Sequence, residues 1–344
     1  MKKILTGVCA GVLVLGCLTA CRGESGTPKN TDGHTAEVTT PPVTESVETE
    51  APVGYSTVEQ LVEDDAIVRV EQVGYDELNE MDMSQLPASY AAAFTGVRDR
   101  IDTYQALYQV DACTVAAFVA VPDDYTDLTR PLLIYNRGGN GNFGASTALE
   151  IALIAELTDC VVIASQYRET TPGTGKDEFG GADVADVLFW VERVTKLDYV
   201  DHERVYMVGV SRGGMQTCLA LQADKDGVVR AAVCVSGVYD LAANYESRED
   251  MRDMLNRRVG GDPITAPEAY AVRSAVNFAD DLQVPLLLIH SRGDKKVDYA
   301  QATSFAKALE EAGKTYDLIT RETISHGMET IDEWKTVMDW LEKQ

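Results

Sequence analysis

A serine flanked by glycines is the first residue in this chain with reactive potential. The apolar run 205–210 leads into Gly209-Val210-Ser211-Arg212-Gly213-Gly214, and a helical pattern follows over 213–223. This is G-x-S-x-G at a strand-to-helix turn, the setting that pushes a hydroxyl out above a sheet edge. Side chains at 209 and 213 would collide with neighbouring strand and helix, so glycine is required at both. A serine hydroxyl attacks a carbonyl only when a base takes its proton. The chemistry to look for is therefore acyl transfer, with a histidine base and an orienting carboxylate.

The chain has four histidines. His34 lies in a polar N-terminal segment. His202 sits in the turn Asp201-His202-Glu203, at the amino end of the elbow strand and on the wrong side of the sheet. His326, in Ile324-Ser325-His326-Gly327, follows the last strand and precedes the last helix, and it is the candidate base. His290, at the end of the apolar run 284–290, ranks second and otherwise packs beside the acid loop. That loop reads Ser291-Arg292-Gly293-Asp294-Lys295-Lys296-Val297-Asp298, and Asp294 just past the strand end is the candidate acid. Asp298 is the fallback, but its place before a helix suits a cap. The tripeptide Arg292-Gly293-Asp294 is more economically a turn carrying the acid than an adhesion signal.

A tetrahedral oxyanion needs preorganised donors. The backbone N–H of Arg212 is one candidate, and the loop Asn136-Arg137-Gly138-Gly139-Asn140-Gly141 after the run 131–135 is the source of the second. The same loop contains Gly139-x-Gly141-x-x-Gly144, which matches the dinucleotide fingerprint. The next strand ends Ser165-Gln166-Tyr167-Arg168, without the acidic ribose partner unless Glu169 serves. No cofactor is expected. Gly175-Lys176 is followed by Asp177, so there is no Walker sequence, and no paired-histidine metal helix occurs.

The elements that must hold these residues are legible as an alternation. Residues 104–110 and 113–121 read as a β-hairpin turning at Asp111-Ala112. Buried-strand runs follow at 131–135, 160–165, 205–210, 231–236 and 284–290, with a shorter one at 316–320. Helical patterns lie at 146–157, 182–196, 213–223, 299–312 and 328–343. Apolar strands separated by helices imply an α/β chain with a mostly parallel central sheet covered on both faces. In such sheets reactive groups gather at the carboxyl ends of strands. Residues 237–283 interrupt the alternation with polar helical fragments and read as a small cap insertion. Residues 55–103 read as an N-terminal helical cover.

The N-terminus reads as an address. Lys2 and Lys3 precede an apolar run over 4–18, too short for a bilayer span, which ends Leu18-Thr19-Ala20-Cys21. This describes a secretory signal over 1–20, and its end resembles a bacterial lipobox with cleavage before a lipidated Cys21. Residues 21–54 form an acidic Thr/Pro-rich tether with no hydrophobic periodicity. The expected location is extracytoplasmic, on the bacterial cell membrane through the lipid anchor only. The remaining Cys113, Cys160, Cys218 and Cys234 form no C-x-x-C pair and read as buried thiols; their spacing leaves disulfides open. The formal net charge of −25 argues against a nucleic-acid partner, which needs a basic face.

With these residues placed, residues 104–344 resemble the catalytic domain of the prolyl oligopeptidase (S9) family, in the α/β-hydrolase superfamily. The resemblance rests on Gly209-Val210-Ser211-Arg212-Gly213-Gly214, on the stretch from Ile289-His290-Ser291 through Asp294 to Val297, on Ser325-His326-Gly327, and on the stretch from Gln166-Tyr167-Arg168 through Asp177 to Val184. It implies Ser211 as nucleophile, Asp294 as acid and His326 as base. It also implies a substrate-screening N-terminal β-propeller, for which roughly 50 residues before the hydrolase core leave no room. Many members place a tyrosine hydroxyl in the oxyanion loop, where this chain has Arg137. Either its guanidinium donates to the oxyanion or holds a substrate carboxylate, or it pairs with an acid such as Asp183 and a Gly138 or Gly139 amide donates.

The resulting expectation is a serine hydrolase cleaving short peptides. A carboxylesterase, on an acylated carbohydrate for example, would use the same triad, and a non-catalytic ligand-binding surface lipoprotein is the reading from another class. A peptidase needs a group for a substrate terminus, and Arg252, Arg257 and Arg258 in the cap are unranked candidates.

Overall fold

The computed structural model describes residues 54–79, 81 and 83–344. The segments expected to be a signal peptide, a lipidation site at Cys21 and a tether, up to residue 53, lie outside the described residues. Nine strands form one sheet: β1 (Ile67–Val73), β2 (Ile101–Val110), β3 (Cys113–Pro122), β4 (Arg130–Asn136), β5 (Val161–Ser165), β6 (Val200–Val210), β7 (Ala231–Val235), β8 (Leu286–Ser291) and β9 (Tyr316–Arg321). Their order is β1-β2-β3-β5-β4-β6-β7-β8-β9. From β5 onward neighbours run parallel; β1, β2 and β3 pair antiparallel. This is the mostly parallel sheet expected from the alternation, in the α/β-hydrolase architecture that the family resemblance implied.

The α-helices of five residues or more are α1 (Ala88–Arg100), α2 (Ala148–Thr158), α3 (Val184–Val191), α4 (Arg212–Ala223), α5 (Leu241–Ser247), α6 (Arg252–Val259), α7 (Pro267–Ala271), α8 (Ala300–Glu311) and α9 (Asp332–Leu341). Successive residues of a strand point to opposite faces. In β6, Val205 and Met207 join the core under α3, α4 and α8, while Tyr206 and Val208 join the core under α1, α2 and α9. Both faces are dry, so the central strands read as unbroken apolar runs rather than alternating ones.

Two local readings need correction. The N-terminal cover is not wholly helical: β1 lies within it and pairs with β2 as an edge strand. Its sequence, IVRVEQV, is rich in β-branched residues and mostly exposed, which suits an edge. His202 does not sit in a turn; it lies within β6, near its amino end, with Nε2 3.0 Å from the Leu197 carbonyl.

The order of connections creates the site. The chain leaves β4 toward β5 on one side and leaves β6 toward β7 on the other. The crevice between the carboxyl ends of β4 and β6 is therefore a topological switch point. Asn136 pairs with Gly209 there, which puts the glycine loop beside the serine turn.

Candidate active site

Ser211 caps α4 with φ 59° and ψ −122°. A side chain in this region costs on the order of 1–3 kcal/mol and persists only where the surroundings enforce it. Here Ser211 N–H donates to the Val235 carbonyl at 2.9 Å, and Gly214 N–H donates to the Ser211 carbonyl at 3.0 Å. The glycine requirement has a direct cause. A Cβ at Gly213 would lie 1.8 Å from the Asn136 carbonyl oxygen, and one at Gly209 would lie 2.2 Å from the Gly213 carbonyl oxygen.

The histidine loop comes to the same place. His326 Nδ1 lies 2.8 Å from Asp294 Oδ2. Gly327 N–H donates to Ser236 Oγ at 3.3 Å, and Arg321 donates to the Gly327 carbonyl at 2.9 Å. A Cβ on Gly327 would lie 3.5 Å from Val210 Cγ1, so the residue after His326 abuts the residue before Ser211.

Asp294 is buried, and burial by itself would raise its pKa. Hydrogen bonds from His326 and from the Lys296 and Val297 amides, with the His290 ring close by, instead hold its carboxyl far below the usual range. His326 is the main imidazole partner. His290 Nε2 is 3.5 Å from Asp294 Oδ2 but 3.0 Å from the Val297 carbonyl, so its proton belongs to that carbonyl. His290 is fully buried and packs beside the acid loop. Asp298 Oδ1 accepts from the Ala300 amide, the cap expected of it.

Arg137 fills neither role read for it in the sequence. Its guanidinium is buried and donates to the carbonyls of Gly138 (2.8 Å), Gly141 (2.8 Å) and Gln166 (2.6 Å) and to Thr170 Oγ1 (2.7 Å). It is turned inward as a brace of its own loop, and burial pulls its pKa down to about 10. Asp183 pairs with Arg212 instead, at 2.6 Å. Gly138 carries the loop to the serine: a Cβ there would lie 3.1 Å from Ser211 Cβ.

The larger omission in the sequence reading is the Arg212 side chain, considered there only for its backbone. It is fully buried, bonded to Asp177 at 2.6 and 2.8 Å and to Asp183 at 2.6 Å, and donates to the Gly139 carbonyl at 3.0 Å. Burial opposes its charge, but the two carboxylates hold its pKa above the usual guanidinium value. Asp177 in turn accepts from the Gly141 amide at 2.9 Å. Asp177 and Asp183 lie 35 and 29 residues before Arg212, so no local sequence signal pairs them.

The cap insertion forms α5, α6 and α7 and is tied to both sides of the site. Arg248 donates to the Lys296 carbonyl in the acid loop. Arg258 donates to Glu169 at 2.8 Å and to the Asp177 carbonyl at 2.8 Å, so it already holds an acid. Arg252 bonds the Tyr245 carbonyl, and Arg257 is exposed. Gly139, Gly141 and Gly144 shape a tight loop closed by an Asn140–Phe143 bridge rather than opening a helix, since α2 begins at Ala148. Among the described residues Cys160, Cys218 and Cys234 are buried free thiols; Cys113 is free and half-buried.

A model of the prolyl oligopeptidase family matches residues 165–344. The chain is 30% identical over 193 residues to the uncharacterized peptidase YtmA of Bacillus subtilis, covering 56% of this chain and 74% of that protein. It is 25% identical over 239 residues to the acylamino-acid-releasing enzyme of Homo sapiens, covering 64% of this chain and 32% of that one. In fold it resembles the Pyrococcus horikoshii acylaminoacyl peptidase, with a TM-score of 0.61 at 20% identity over 74% of this chain and 43% of that chain. It spans about a third of the human relative and less than half of the Pyrococcus chain. On the family match and the fold together, the chain belongs to the prolyl oligopeptidase family and is a serine hydrolase.

Proposed function

We propose that the protein is a serine-type peptidase that cleaves short peptides by acyl transfer through Ser211, His326 and Asp294. Ser211 Oγ attacks the peptide carbonyl while His326 Nε2 takes its proton. His326 returns that proton to the leaving amine, and water, deprotonated by the same nitrogen, releases the acyl group. Asp294 accepts from Nδ1–H, which fixes the tautomer and stabilises the imidazolium. The Arg212 and Gly138 amides donate to the oxyanion.

The 2.8 Å contact between His326 Nδ1 and Asp294 Oδ2 carries this reading. It leaves Nε2 as the working nitrogen, on a loop packed against the residue next to Ser211. Peptides are preferred to esters because the relatives are peptidases. The expected leader over 1–20, with Cys21 directly after it, supports an extracytoplasmic enzyme on a lipid anchor, and a Cys21→Ala chain should leave the membrane fraction.

A fluorophosphonate probe tests the mechanism. Wild type should be labelled and should cleave peptide p-nitroanilides, and Ser211→Ala should do neither. A folded wild type that resists the probe would return the protein to the ligand-binding reading. Cleavage of p-nitrophenyl esters without any peptide cleavage would favour an esterase.

A further inference from the structure

The buried Tyr167 stands behind the glycine loop, and the reaction as proposed assigns it nothing. Its hydroxyl donates to the Arg137 carbonyl at 3.1 Å. Its ring lies under two guanidinium groups, with Arg137 Cζ 4.8 Å and Arg212 Cζ 4.9 Å from the centroid. Its backbone has φ 60°, a region that a tyrosine adopts only under constraint. Ser165 Oγ accepts from its N–H at 3.1 Å and so helps to hold that turn.

The consequence lies across one peptide bond. In a planar trans peptide the C=O and the following N–H point in opposite directions. With the Arg137 carbonyl turned to Tyr167, the Gly138 N–H is turned away from it. The Cβ position of Gly138 lies 3.1 Å from Ser211 Cβ and 3.7 Å from Ser211 Oγ, so this peptide borders the nucleophile. The next peptides are pinned in the same manner, the Gly138 carbonyl by Arg137 and the Gly139 carbonyl by Arg212.

We propose that Tyr167 is a positioning residue for acyl transfer: its hydroxyl holds the Arg137–Gly138 peptide with the Gly138 N–H aimed at the oxyanion formed when Ser211 attacks. A hydroxyl donating into that carbonyl also polarises the amide, which strengthens donation from the N–H on the other side. Burial pushes the phenol well above its ordinary pKa even beside two cations, so it stays a donor at any working pH. The inference rests on Ser211 being the nucleophile.

Tyr167→Phe removes the hydroxyl and keeps the ring between the two guanidinium groups. Rates are expressed per site titrated with fluorophosphonate, so a misfolded fraction does not count. Removing an oxyanion donor outright costs about 100- to 1,000-fold in kcat; loosening one from behind should cost about tenfold, with KM changed by less than about twofold. A peptidyl trifluoromethyl ketone forms a serine adduct bearing the oxyanion: Ser211 Oγ adds to the carbonyl carbon and its proton passes to His326. Its affinity should fall by the same factor as kcat, while the corresponding peptidyl alcohol binds as it does to wild type. Tyr104→Phe, which removes the hydroxyl of another core tyrosine, bonded to Glu59 in the N-terminal segment and to none of the residues that hold Tyr167, should leave the ketone-to-alcohol ratio unchanged. Unchanged kcat in Tyr167→Phe, or equal weakening of ketone and alcohol, overturns the proposal. A wild type that the probe cannot titrate removes the nucleophile assignment and this inference with it.

Discussion

Asp294 and His326 are 32 residues apart in the chain, yet Oδ2 of one lies 2.8 Å from Nδ1 of the other. Asp294 is placed by the end of β8, and His326 by the loop that leaves the neighbouring strand β9. The Ser291–Arg321 pairing at the ends of these strands brings the two loops side by side. Sheet register, rather than any local sequence preference, makes the contact.

Asp294→Asn keeps the shape of the acid but offers Nδ1 the wrong hydrogen-bonding partner. By comparison with other triads, kcat should fall about 10,000-fold. The change should also alter stability with pH. The carboxyl is depressed in the folded state, so its contribution is complete above about pH 4, the ordinary unfolded value, and is lost as pH falls below that toward the folded value. Denaturant melts of wild type and variant should differ most at neutral pH and converge in acid. A gap of constant size would contradict the assignment.

Gly213→Ala places a methyl 1.8 Å from the Asn136 carbonyl oxygen, a backbone atom in the centre of the sheet. Neither β4 nor the elbow can yield without breaking strand pairing. We expect a loss above about 3 kcal/mol, with little soluble protein or a sharply lowered melting temperature. A variant melting within a degree or two of wild type would mean that the elbow is not as tight as described.

Arg212→Met removes the main cation of the buried Asp177 and Asp183 and leaves Asp177 only the more distant Arg258, at 3.7 Å. Breaking a buried pair this way costs about 3–5 kcal/mol. The triple variant Arg212→Met with Asp177→Asn and Asp183→Asn removes the stranded charges and should regain most of that loss in urea unfolding. If the single variant is as stable as the triple, water reaches this cluster and the charges are not isolated.

Glu150 sits in the first turn of α2, and burial pushes its carboxyl up to about 7 from an ordinary 4.5. The folded state thus binds this proton more tightly than the unfolded chain. Stability should decline as pH rises from about 4.5 to 7. The residue keeps partial exposure, which limits the effect to about 1–2 kcal/mol. Glu150→Gln should therefore raise the urea midpoint at pH 8 and leave it unchanged at pH 4.5. An equal change at both values would exclude titration as the cause.

The sequence alone determined the features written in local pattern. Apolar runs of strand length separated by amphipathic helices determined the parallel sheet, because strands covered on both faces admit no polar positions. The glycines around Ser211 determined the elbow, because backbone stands where their side chains would be. The order of serine, acid and histidine followed from which residues end strands. The edge strand β1 escaped, because an exposed strand has little burial to pattern its residues. Tertiary structure alone decided how charges are shared. Arg137 was free in sequence to face substrate or Asp183; it faces the carbonyls of its own loop, while Asp183 and Asp177 go to Arg212. Such choices depend on distances between segments that the sheet brings together, and a buried guanidinium takes whichever acceptors surround it in three dimensions.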